Sequence, residues 1–93
     1  MFNAKTGEME FKRYDDGENQ MEIELHGLKV PDGAVVSALV DGAAVCEVPV
    51  QRRHGRAQHS TSLGENIPDV SNGSVAEVHY MGEVLLKGTF RPD

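Results

Sequence analysis

The stretch Ala34-Val-Val-Ser-Ala-Leu-Val-Asp-Gly-Ala-Ala-Val-Cys-Glu-Val-Pro-Val50 decides the fold class. Valine-rich runs flank a single Asp-Gly dipeptide, and branched aliphatics favour the pleated, packed surface of a strand. Asp41-Gly42 is a strong signal for a two-residue hairpin turn, because such turns need positive φ and glycine adopts it freely. The expectation is a hairpin of Ala34–Val40 with Ala44–Val50. Its residues are apolar at nearly every position, which places it at the centre of a sheet or covers it on both faces. The same uniformity leaves its register open. Pro49 has no backbone donor, so one flank of its strand is expected to be an edge or a bulge.

The same period of two extends outward from this hairpin. In Gly7–Tyr14, Met9 and Phe11 alternate with Glu8, Glu10 and Lys12. Met21, Ile23 and Leu25 alternate with Glu22, Glu24 and His26. These runs predict a hairpin with one apolar and one acidic face, closed by the polar turn Asp15-Asp16-Gly17-Glu18-Asn19. Pro31-Asp32-Gly33 marks a turn in a connector whose Leu28 and Val30 pack inward. Gln51–Arg56 reads as a basic turn, and Ala57–Ser62 as a short polar strand at an edge. Residues 63–73 are irregular, with one helical turn around Ile67 and Val70. Asn72-Gly73 opens a final hairpin, Ser74–Met81 and Glu83–Phe90. There Ala76, Val78 and Tyr80 share one strand face, and Val84, Leu86 and Phe90 share another.

No run keeps a 3.6-residue period long enough for a long helix. The chain of 93 residues therefore reads as one domain over residues 1–93. It is expected to be an all-β, antiparallel Greek-key β-sandwich of about seven strands. A small β-barrel is the alternative.

Composition narrows the function. The net charge is −6, and residues 1–50 carry ten acidic side chains against four basic ones. An acidic domain without a basic stripe disfavours nucleic acid and anionic membranes. No apolar run is long enough to span a bilayer, and no signal peptide is read at the N-terminus. A fragment of a secreted protein would be extracytoplasmic; otherwise the chain is cytoplasmic. Cys46 is the single cysteine, so no intrachain disulfide forms, and in a strand it reads as a small buried hydrophobe.

The strings Gly33-Ala-Val-Val-Ser-Ala-Leu-Val-Asp-Gly, Glu47-Val-Pro-Val, Asn66-Ile-Pro-Asp-Val-Ser-Asn-Gly-Ser, Glu77-Val, Leu86-Leu and Gly88-Thr-Phe cover most of the chain. Together they resemble the small immunoglobulin-like or fibronectin-like modules of bacterial surface and extracytoplasmic proteins. That resemblance implies a spacer, adhesion or binding unit and carries no catalytic residue.

Candidate sites are few. Asp15, Asp16 and Glu18 offer oxygen ligands of the kind calcium prefers. His54 and His59 bracket Gly55 and would serve zinc if a hairpin turn brought them together. Arg52, Arg53, His54 and Arg56 form the only basic cluster, suited to an acidic partner or to the acidic face of another copy. No nucleophile elbow, phosphate loop or buried carboxylate pair is legible. The sequence thus points to a non-enzymatic interaction or structural module within a larger protein or assembly, with no cofactor. A protein partner and a monomeric or weakly self-associating state are expected. A small ligand- or metal-binding domain is the alternative, and an enzyme completed by a partner chain the third.

Overall fold

Asp41 and Gly42 turn the chain with φ of 51° and 83°, the pair of left-handed residues that a type I′ hairpin requires. In this computed structural model, residues 2–14, 17–60 and 70–91 are described, Phe2–Ala4 by backbone alone. The strands are β1 (Phe2–Ala4), β2 (Gly7–Arg13), β3 (Asn19–Leu25), β4 (Val35–Val40), β5 (Ala43–Gln51), β6 (His54–Ser60), β7 (Val75–Tyr80) and β8 (Glu83–Thr89). Seven of them run six to nine residues, and β1 is a three-residue addition at one end. All pairings are antiparallel, in the order β1-β2-β3-β6-β5-β4-β7-β8. No helix occurs among the described residues. The sheet curls into a half-barrel whose concave side holds Met9, Met21, Ile23, Leu25, Val36, Val48 and Val78, each at most 1% exposed. Leu28 and Val30 of the connector and Phe90 close this core.

The β4–β5 hairpin is central in the order, but it is not covered on both faces. Its burial alternates, with Val36, Ala38, Val40, Cys46, Val48 and Val50 inward. Val35 is 48% exposed on the outer face. Pro49 fits the expected edge character. Val50 N–H donates to Ala34 O (2.8 Å), so the alternation of strand donors aims the missing Pro49 donor away from β4. On that side β6 is paired only at Val50–Gly55 and Gln51–His54 before the strands part.

β6 departs from expectation. It starts at His54, and the turn is only Arg52-Arg53, with φ of 50° and 65°. β6 is flanked by β3 along its length and is not at the end of the sheet order. Gly55 is no turn glycine. It sits buried opposite Val50, where a Cβ would stand 2.8 Å from Val48 Cγ1 and 3.0 Å from Pro49 O. Residues 61–62 of the predicted polar strand and Ile67 of the predicted helical turn lie outside the described residues; Val70 packs against the core.

The final hairpin also departs in one respect. Between Val78 and His79 the register shifts, leaving Leu85 as an extra residue. A bulge turns the following side chains over, so Val84 is 50% exposed while Leu86 packs on the core.

The structure reveals an internal repeat. Residues 31–50 recur as 71–90. Gly33 N–H donates to Val50 O and Val50 N–H to Ala34 O; likewise Gly73 donates to Phe90 O and Phe90 to Ser74 O. Asp41-Gly42 and Met81-Gly82 make the same turn, with φ of 51° and 83° against 51° and 80°. The bulges fall at equivalent residues, Val45 and Leu85. β4 and β7 pair so that Ala38 faces its own equivalent, Val78, with Ser37–His79 and Leu39–Glu77 on either side. The two hairpins are thus related by a local pseudo-two-fold axis at that pair.

Candidate functional site

Two charged regions share the outer face of β2, β3 and β6. Alternation along each strand sends Glu8 and Glu10, Glu22 and Glu24, and Arg56 and Gln58 outward. Register then sets Glu8 opposite Glu24 and Glu10 opposite Glu22. Like charges directly across a ladder repel. Lys12 relieves one pair, lying 3.3 Å from Glu10 and 3.7 Å from Glu22. Its hydrogen bond to Glu10, with the charges of both glutamates, raises the Lys12 pKa above its ordinary value. Glu8 and Glu24 gain no such cation. Glu24 is opposite Arg56 on β6, yet the two form no ion pair.

The basic tip lies beyond that row. Asp32 Oδ1 accepts from Arg52 N–H at 2.8 Å, and Leu28 N–H donates to Arg53 O at 3.3 Å. These contacts hold the tip backbone and leave the Arg52, Arg53 and His54 side chains exposed. A hollow of about 340 Å³ opens where β5 and β6 part, walled by Glu24, Pro49, Gln51, His54 and Arg56.

The described members of the proposed metal sites do not come together. Asp15 and Asp16 lie outside the described residues. Glu18 Oε1 accepts from Ser60 Oγ (2.7 Å) and Gln20 Nε2 (3.1 Å), tying the β2–β3 turn to the end of β6. His54 and His59 do not face each other across a turn. Both are on β6, five residues apart, so they project from opposite faces about 17 Å apart. Among the described residues no group of three or more His, Cys, Asp or Glu is placed to hold a metal ion. Cys46 is buried.

One polar cluster was not read from the sequence as a unit. His79 Nε2 donates to Glu77 Oε2 at 2.6 Å, and Lys87 Nζ is 3.6 Å from Glu77 Oε1. The alternation of Glu77 and His79 was the signal available. The His79 hydrogen bond and the Lys87 charge hold the Glu77 carboxyl below its ordinary pKa, against the opposing effect of burial. A carboxyl depressed in the folded state stabilises fully above its unfolded pKa, and the contribution fades as pH falls through the folded value. Glu77→Gln is therefore expected to melt below wild type at neutral pH. The gap should close on acidification through the carboxylate range; a gap constant with pH would show that the carboxylate charge is irrelevant.

No protein-family model, curated protein or solved structure matches this chain. No helix of the described residues is long and apolar enough to cross a membrane.

Proposed function

We propose that the chain is a non-enzymatic interaction module of a larger protein or assembly, docking through the Arg52-Arg53 hairpin tip. The observation behind this reading is the backbone of that tip. Two arginines occupy left-handed φ, where a side chain costs about 1 kcal/mol per residue relative to glycine. The equivalent strain is lower at Asp41-Gly42 and Met81-Gly82, which each carry a glycine. Strain retained at an exposed pair whose side chains serve no internal contact is a sign of function. Three guanidinium groups, from Arg52, Arg53 and Arg56, then suit an acidic protein surface.

The order of four strands supports the Greek-key part of the expected topology. β4, β5 and β6 run consecutively, and β3 returns by a long connection to lie beside β6.

The test separates strain from recognition. Arg52→Gly/Arg53→Gly is expected to raise the melting temperature by several degrees, since about 1 kcal/mol moves a domain of this size by roughly 4–8 °C. The same variant should lose most of its binding to a fluorescent poly-glutamate peptide at low salt. Unchanged binding would remove the tip from any docking role.

A further inference from the structure

The outer face of β2–β3–β6 is divided by the Glu24–Arg56 row. On one side lies the Glu10–Glu22 pair, still net acidic with Lys12 between its carboxylates, about 7 Å along the strands. On the other lie His54 and then the Arg52-Arg53 tip, about 10 Å away. The row itself mixes signs, with Glu8 and Glu24 beside Arg56. A face that is acidic on one side of a line and basic on the other, at similar distances, complements itself under a 180° rotation.

We propose that this face pairs with a second copy of the chain across a two-fold axis near Glu24 and Arg56. The proposal rests on the reading of the tip as a docking element. Each Arg52-Arg53 tip then lies over the other copy's Glu10–Glu22 and Glu8–Glu24 pairs, and each Arg56 meets the other copy's Glu24. Two local costs are relieved together. Glu8 and Glu24 face each other across the ladder and repel within one chain, with no cation between them of the kind Lys12 supplies to Glu10 and Glu22. Glu8, Glu24 and Arg56 make no side-chain hydrogen bond or ion pair to a described residue, so their charges remain available to a partner. The rest of the molecule carries net negative charge, so the pairing is weak and depends on salt.

Sedimentation equilibrium tests the proposal. Wild type is expected to form dimers at about 20 mM salt, with the dissociation constant at least about tenfold weaker at about 500 mM. Arg52→Glu/Arg53→Glu and Glu10→Lys/Glu22→Lys should each be monomeric at low salt, with circular dichroism confirming that both fold. Mixed in equal amounts they should form a heterodimer, because both halves of the symmetric contact are then complementary. Larger species in the mixture would overturn the closed two-fold arrangement. A wild type monomeric at low salt would overturn the pairing altogether. Should poly-glutamate still bind that monomer through the tip, only the partner assignment has failed. Without such binding, the docking role of the tip fails as well.

Discussion

Leu25→Ala is expected to lower the unfolding free energy by about 3–5 kcal/mol, near the top of the range for buried leucines. The reason lies in its neighbours. Leu25 is 1% exposed, and its ladder partners are Gly7 on β2 and Gly55 on β6. A cavity costs least where adjacent side chains collapse into it, and two flanking glycines have none to offer. Urea unfolding followed by circular dichroism measures the loss. A Cβ added at Gly7 would stand 2.6 Å from Leu25 Cδ2. Gly7→Ala should therefore cost clearly less in the Leu25→Ala background than in wild type, a coupling that a double-mutant cycle reads directly. Additive costs would show that the leucine does not fill the space beside Gly7.

Gly55→Ala is expected to cost about 1–3 kcal/mol through overpacking. The new methyl would meet Val48 Cγ1 at 2.8 Å and the Pro49 carbonyl at 3.0 Å. Valine is stiff at χ1, and a backbone oxygen moves only with its strand, so neither yields easily. Gly55 holds β6 against β5 at one of their two paired rungs. Parting the strands there also disturbs the hollow and the tip. A lower urea midpoint with the same m-value would report lost stability alone; a changed m-value would show that the fork between β5 and β6 had opened. An unaffected midpoint would mean that this close approach is not needed.

These glycines show how far the sequence could be read. Asp41-Gly42 declared its turn because glycine and aspartate are the residues that left-handed positions favour. The period of two sorted Met9, Met21, Ile23 and Leu25 from the glutamates opposite them. Gly55 misled, because a glycine needed for close approach carries the same letter as one needed for a turn. Arg52-Arg53 was hidden for the opposite reason: nothing in the residue types proposes a two-residue turn there, and tertiary contacts from Asp32 and Leu28 hold it. The valine content of β4–β5 pointed to a central strand pair or to burial on both faces; the pair is central, and its outer face is open because apolar residues remain common on folded surfaces. The bulges at Val45 and Leu85 have no local sequence mark. Of the site, the basic cluster and the acidic strand face were legible as compositions. Their division along the Glu24–Arg56 row emerged only from the pairing of β3 with β6. The repeat had a signal that was passed over: Asp32-Gly33 and Gly42 recur in step as Asn72-Gly73 and Gly82.

That recurrence bears on how the chain assembles. Each hairpin has the same turn geometry and the same bulge as the other. While the chain is still forming, the hairpin of one molecule can enter the slot left open in another, and identical elements exchange at little cost. Such an exchanged species would be held by buried valines rather than by surface charge, and high salt would leave it intact.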